Sequence, residues 1–159
     1  KPGEGTCFRI FIPRSHESVE EVPILARPTD TNHGLHAETV LVVEPDPAVR
    51  NATTENLRAF GYRVLEALNG SDALAMADGF RKPIAVLITD LVLPKMKGKD
   101  LAREVTTIHP ETRVVYTSGQ EIDSLDEDGS AAPRGSFLQK PYAPDDLLRM
   151  VGELSITRS

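Results

Sequence analysis

The stretch Ile84–Thr89 reads IAVLIT, and it is followed directly by Asp90 and then by LVLP at residues 91–94. A short apolar run without polar alternation is typical of a strand covered on both faces, as in a parallel sheet. Such a strand needs neighbouring strands at its sides and helices above and below. The chain is therefore expected to surround a buried central strand that ends in a carboxylate.

Apolar runs of strand length alternate with segments of helical period on both sides of this stretch. The predicted strands are Thr39–Val43, Arg63–Ala67, Ile84–Thr89, Arg113–Thr117 and Gly135–Gln139, and the predicted helices are Pro47–Phe60, Asp72–Ala77, Lys99–Ile108 and Pro144–Leu154. Asp46 and Ser71 are placed to cap the first two helices, and Val49, Ala52, Leu57 and Phe60 form the apolar stripe of the first. Any helix within Gln120–Arg134 is expected to be short. The alternation predicts an α/β fold, a doubly wound parallel sheet of Rossmann or flavodoxin type.

The residues before Thr39 have a different character. Phe8, Ile10 and Ile12 alternate along a strand-like piece within residues 1–14, which Pro13 ends. Residues 15–38 lack periodicity, are mostly polar and contain two prolines, so they are read as a linker. The expected organisation is a remnant over 1–14, a linker over 15–38 and one domain over 39–155.

The amino-acid composition of the chain argues against several classes of function. The 159 residues carry 18 Lys+Arg and 24 Asp+Glu, giving a formal net charge of −6. This balance argues against bulk attraction to nucleic acid or to anionic lipid. One cysteine excludes an intrachain disulfide, and no apolar run approaches the roughly 20 residues that span a bilayer. We expect a cytoplasmic, acidic protein with no nucleic-acid partner and no direct membrane contact.

Polar side chains follow four of the predicted strands. Glu44 and Asp46 follow the first, Asp90 the third, Ser118 the fourth and Lys140 the fifth. Ligands of such sheets bind beyond the carboxyl ends of the strands. Carboxylates suit Mg²⁺, and an ammonium and a hydroxyl suit a phosphoryl group. Asp90 is the candidate nucleophile, because aspartate carboxylates form aspartyl-phosphates.

Together the segments VLVVEPDPAVR (40–50), VLITDLVLPKMKG (86–98), VVYTSG (114–119) and FLQKPY (137–142) resemble those of response-regulator receiver domains. The resemblance covers Thr39–Leu154 and implies a flavodoxin-like (CheY-like) five-stranded sheet with strand order 2-1-3-4-5. It further implies that Asp90 is the phosphoacceptor, Ser118 the switch hydroxyl and Lys140 the family's lysine, in a cis Lys140–Pro141 bond. Phe137 lies where the family carries its switch aromatic residue.

The resemblance also implies a Mg²⁺ site, and here the sequence departs from the family pattern. Two adjacent acids usually follow the first strand, whereas this chain has Glu44 at the first position and Pro45 at the second. The implied ligands are Glu44, Asp46, Asp90 and the backbone carbonyl of Val92. Because proline offers no carboxylate, Mg²⁺ binding is expected to be weaker than in the family at large.

The N-terminal piece Gly3-Glu4-Gly5-Thr6, followed by an alternating strand, resembles the last glycine box of a histidine-kinase ATP-binding domain. The chain then reads as the C-terminal part of a hybrid histidine kinase, with a histidine kinase or a histidine phosphotransfer domain as its partner. The rest of a kinase core is absent from this sequence, so we expect neither ATP binding nor autophosphorylation.

Three functions remain open at this stage. The first is a phosphorelay receiver that accepts a phosphoryl group on Asp90. The second is a degenerate receiver that binds partners without phosphorylation, which Pro45 favours. The third is an independent aspartate-nucleophile phosphatase. It ranks last, because that chemistry normally needs a second acid close after the nucleophile, and residues 91–93 are apolar.

Overall fold

The computed structural model describes residues 38–119 and 134–156. The predicted remnant over 1–14, nearly all of the linker and the segment Gln120–Pro133 lie outside the described residues. None of the helices within the described ranges is both long and apolar enough to cross a membrane.

In the part of the chain that the structure describes, five parallel strands form the central sheet and two very short strands form a separate hairpin. In chain order the strands are β1 Thr39–Val43, β2 Arg63–Ala67, β3 Val86–Asp90, β4 Val92–Leu93, β5 Met96–Lys97, β6 Arg113–Ser118 and β7 Gly135–Gln139. The sheet order is β2-β1-β3-β6-β7, which confirms the expected order 2-1-3-4-5 once the hairpin strands are set aside. The central strand β3 pairs with β1 on one side and β6 on the other.

Within residues 38–119 and 134–156, the helices that cover the sheet are α1 Pro47–Ala59, α2 Gly70–Gly79, α3 Gly98–Ile108 and α4 Pro144–Ile156. Asp46 caps α1 as predicted, because its Oδ1 accepts from the amides of Ala48 and Val49 at 2.8 and 3.1 Å. The prediction that Ser71 caps α2 is wrong. Asn69 is the cap, and its side chain accepts from the Asp72 amide at 2.9 Å.

The apolar residues of the sheet divide between two core clusters, as a doubly wound sheet requires. Leu41, Leu87 and Tyr116 belong to the cluster that contains residues of α2 and α3. Val42 and Val86 belong to the other, with Leu57 of α1 and Leu147 of α4 among its members. Because helices cover both faces, the polar groups at the strand ends are held at the carboxyl edge of the sheet.

The structure corrects two further details. The central strand begins at Val86 instead of Ile84, although the Ala85 amide still donates to the Thr39 carbonyl at 2.8 Å. The stripe of α1 is also different, since Phe60 is exposed and Thr53 and Thr54 are buried beside Leu57. Buried hydroxyls are accommodated when they find partners, and Thr53 Oγ1 lies 2.8 Å from the Val49 carbonyl.

Candidate functional site

Three charged side chains from three separate strands meet at the carboxyl edge of the sheet. The ammonium of Lys140, which follows β7, lies 2.7 Å from Asp90 Oδ2 at the end of β3. It also lies 2.5 Å from Glu44 Oε2, which follows β1. The exposed side-chain fractions are 18% for Lys140, 19% for Asp90 and 7% for Glu44. The two carboxylates and the ammonium therefore form a partly buried ion triad with one net negative charge.

The second oxygen of each carboxylate is held by backbone. Asp90 Oδ1 accepts from the Val92 amide at 3.2 Å, and Glu44 Oε1 accepts from the Asp46 amide at 3.0 Å. The longer side chain of Glu44 thus spans from its own loop to Lys140. Both carboxylates are oriented before any ligand arrives.

Opposing influences act on the Lys140 ammonium. Burial lowers the pKa of Lys140, but the hydrogen bonds and charges of Asp90 and Glu44 outweigh burial and raise that pKa above its ordinary value of 10.5. Lys140 therefore carries a full positive charge at neutral pH. The Lys140–Pro141 bond is cis, as the resemblance implies.

Ser118 and Phe137 lie on β6 and β7, the next two strands of the sheet after the strand that carries Asp90. Ser118 ends β6 and is buried, and its carbonyl accepts from the Lys140 amide at 2.7 Å. Phe137 lies on β7, is 36% exposed, and stacks on Tyr116 with 5.2 Å between ring centroids. Burial raises the pKa of Tyr116 to about 12, so its phenol is neutral under this stack at all ordinary pH values.

Metal donors at this edge are few. Over residues 38–119 and 134–156, no group of three or more His, Cys, Asp or Glu side chains is placed to hold a metal ion. Glu44 and Asp90 provide two carboxylates, while Asp46 is exposed and occupied with capping α1. Mg²⁺ is commonly bound through one or two carboxylates together with waters. The donors present therefore fit a Mg²⁺ site with few protein ligands.

Three supporting residues escaped the sequence analysis. Arg50 donates to the backbone carbonyls of Glu44 and Pro45 at 2.8 and 3.4 Å and so fixes the β1–α1 loop. Tyr142 and Thr53 share a hydrogen bond of 2.9 Å that joins α1 to the segment after Lys140. For the Thr53–Tyr142 hydrogen bond, the sequence shows only a threonine within a predicted helix and a tyrosine two residues after Lys140.

Comparisons with known proteins agree with this geometry. Residues 40–152 match the family described as response regulator receiver domain. The sensor kinase CckA of Brucella abortus (strain 2308) is 31% identical over 157 residues, covering 96% of this chain but only 17% of that protein. The receiver protein CpdR of the same organism is 30% identical over 74% of this chain and 96% of its own.

Solved structures give the same result. A crystal structure of the receiver domain of the hybrid histidine kinase CckA matches 74% of this chain and 98% of its own length, with a TM-score of 0.63 and 31% identity. The chemotaxis response regulator CheY4 of Vibrio cholerae matches 75% of this chain and 99% of its own with a TM-score of 0.67. The family match covers well over half of the sequence. The chain belongs to the response regulator receiver domain family.

Proposed function

We propose that this domain is a phosphorelay receiver that takes a phosphoryl group from a phosphohistidine onto Asp90, with Mg²⁺ bound at Glu44 and Asp90. The ion triad is the observation that carries the proposal. It presents an oriented carboxylate beside an ammonium, which is the pairing that phosphoryl transfer to aspartate needs. The partner is a histidine kinase or a histidine phosphotransfer domain.

In this mechanism the chain's own residues position the reacting groups and neutralise the charge of the phosphoryl group. The Val92 amide holds Asp90 Oδ1 while Lys140 holds Oδ2. One carboxylate oxygen attacks phosphorus, the new O–P bond forms as the N–P bond to the donor imidazole breaks, and the imidazole nitrogen keeps the electron pair and takes a proton. The Lys140 ammonium then donates to a phosphoryl oxygen, and Ser118 at the neighbouring strand end is the proposed switch hydroxyl. Bound Mg²⁺ would neutralise further charge on the phosphoryl oxygens.

Phosphoryl labelling with a small donor tests the proposal. The chain is incubated with phosphoramidate and Mg²⁺, and its intact mass is measured before and after the reaction. One phosphoryl adduct is expected on the unmodified chain and none on Asp90→Asn, which keeps the shape of the side chain but replaces the nucleophilic carboxylate with a neutral amide. An unlabelled chain at saturating donor and Mg²⁺ would contradict the proposal.

A binding module that works without phosphorylation is the second candidate. It is favoured by Pro45, which removes a carboxylate from the β1–α1 loop, and by the engagement of both site carboxylates with Lys140. In that case the affinity for a partner would be the same with and without Mg²⁺, and the same for Asp90→Asn. The labelling experiment separates the two candidates.

Pro45→Asp should strengthen Mg²⁺ binding. The substitution returns a carboxylate to the residue next to Glu44, and one further charged oxygen ligand should tighten binding about tenfold, or about 1.4 kcal/mol. The measurement is a Mg²⁺ titration followed by NMR shifts of the amides of residues 90–92. Pro47→Asp is the matched control, because it changes the same residue type at the exposed start of α1. Equal affinities for all three chains would place the metal elsewhere.

The similarity to CckA supports a hybrid kinase context for this receiver. That match extends over 96% of the chain, beyond the receiver segment itself. The module is then proposed to be the C-terminal part of a hybrid histidine kinase, in the cytoplasm where ATP supplies the phosphoryl group. The kinase activity would reside in other parts of such a protein.

A further inference from the structure

A largely buried guanidinium lies next to the site and has no part in the proposed transfer. The side chain of Arg50 is only 15% exposed, and charged side chains are rarely buried unless they have partners. Its Nη1 donates to the carbonyl of Glu44 at 2.8 Å and to that of Pro45 at 3.4 Å. Its Nε lies 4.0 Å from Glu66 Oε2. The Arg50 guanidinium is therefore occupied in holding the loop between β1 and α1.

The backbone of Glu44 is fixed on both sides of its Cα atom. The Glu44 amide donates to the Ala67 carbonyl at 3.1 Å, which continues the hydrogen bonding between β1 and β2 past the end of β1. The Glu44 carbonyl accepts from Arg50. Because both groups are paired, the backbone cannot rotate at Glu44 without the loss of a hydrogen bond. The direction in which the Glu44 side chain leaves the backbone is therefore set, and it leads to Lys140.

The neighbours of Glu44 increase the importance of this arginine. Pro45 has no amide hydrogen to donate and no carboxylate, and Asp46 uses its side chain to cap α1. Glu44 is thus the carboxylate that this loop brings to Lys140. The contribution of the whole loop to a Mg²⁺ site then depends on the orientation of one side chain, and Arg50 holds the carbonyl of that residue.

Charge alone would give Arg50 the opposite effect on a cation. A positive charge beside a cation site repels the ion, and Glu66 offsets only part of that charge, because its carboxylate also bonds to Arg58. If Arg50 acted through its charge, its removal would strengthen Mg²⁺ binding. If it acts by orienting Glu44, its removal would weaken Mg²⁺ binding. The sign of the change in affinity distinguishes the two roles.

We propose that Arg50 is a positioning residue for the Mg²⁺ site, which holds the carbonyls of Glu44 and Pro45 so that the Glu44 carboxylate stays turned towards Lys140 and Asp90. This inference rests on the proposed function and adds a residue that acts on the metal through its ligand. Side chains that orient a metal ligand commonly contribute about 10- to 100-fold to metal affinity. A carbonyl that holds a guanidinium fixes the peptide unit of Glu44 in the same way.

The test is a Mg²⁺ titration of the whole chain, followed by NMR shifts of the amides of residues 90–92. Arg50→Met keeps the apolar stem of the side chain and removes its donors, whereas Arg50→Lys keeps the charge without the planar fork that reaches two carbonyls. The matched control is Arg58→Met, which removes the same charge from an exposed side chain of the same helix. Arg50→Met is also made in a chain that carries Glu44→Gln.

Arg50→Met should bind Mg²⁺ about tenfold more weakly than the unmodified chain. Arg50→Lys should show a smaller loss, and Arg58→Met should show none. In the Glu44→Gln chain, Arg50→Met should cause no further loss, because the carboxylate that Arg50 orients is already gone. A general loss of stability would not be confined to chains that retain Glu44.

Equal or tighter Mg²⁺ binding by Arg50→Met would overturn the inference. So would an equal loss in Arg58→Met, or the same loss from Arg50→Met in the Glu44→Gln chain. If Arg50→Met does not fold, Arg50→Lys decides, since an affinity equal to that of the unmodified chain would likewise overturn it. Failure of phosphoramidate to label the unmodified chain would instead contradict the proposed function, and an unmodified chain that binds no Mg²⁺ would contradict both.

Discussion

Gly98→Ala should destabilise the domain by about 1–3 kcal/mol and slow labelling of Asp90 about 100-fold. A Cβ atom at Gly98 would lie 2.1 Å from the Asp90 carbonyl oxygen and 3.0 Å from the Leu91 Cα. Both contacts are with backbone atoms, which cannot avoid the added methyl group by a change of rotamer. The start of α3 and the end of β3 would have to separate, and the carboxylate of Asp90 would move with its own backbone away from Lys140.

Gly79→Ala is the matched control for this prediction. Gly79 is the last residue of α2, and among the described residues no atom outside its chain neighbours and the nearby backbone of its own helix lies within 4 Å of the position of an added Cβ. The stability of this variant should be unchanged or higher by up to about 1 kcal/mol, with normal labelling. Urea unfolding and phosphoramidate labelling measure both quantities. If Gly98→Ala matched Gly79→Ala in both, the close packing of α3 on Asp90 would have no role in the site.

The fold could be read from the sequence where burial alone sets the pattern. The apolar runs of β1 and β3 and the Asp46 cap of α1 require no knowledge of the rest of the chain. The buried face of α1 could not be predicted in this way, because the buried Thr53 forms a hydrogen bond with Tyr142, which is 89 residues away in the chain. A hydrogen bond of that span leaves no trace in local periodicity.

The charged part of the site was likewise accessible from the sequence. In a parallel sheet, residues that follow neighbouring strands must meet at one edge, and Glu44, Asp90 and Lys140 do so. The hairpin of β4 and β5 was missed, because strands of two residues show no alternation. The need for Gly98 was missed for a related reason, since a close approach of two backbones depends on the hairpin that returns the chain to Asp90.

Lys140→Met should destabilise the domain by about 2–4 kcal/mol at pH 7 and slow the labelling of Asp90 at least 100-fold. Methionine fills much of the same volume but leaves Glu44 and Asp90 as two largely buried carboxylates without a counter-charge. Truncating one member of such a set costs more than the interaction itself, because the remaining charges stay desolvated. The phosphoryl group would also lose its only ammonium partner among the triad.

The pH dependence gives this prediction a second, independent readout. In the unmodified chain the folded pKa of Lys140 lies above 10.5, so the stability from its charge is complete below pH 10.5 and is lost as pH rises through the raised value. Lys140→Met should lack this alkaline loss.

Lys82→Met is the control that separates the triad from a general effect of charge. Lys82 is exposed in the connection that leads to β3, and its replacement makes the same change in net charge and side-chain type. Its stability should stay within about 0.5 kcal/mol of the unmodified chain at every pH, with labelling unaffected. Urea unfolding at pH 7 and 11 compares the three chains. If the stability and labelling of Lys140→Met matched those of Lys82→Met at each pH, the ammonium would have no role at Asp90. Phosphoryl transfer would then have to rely on the metal alone for its positive charge.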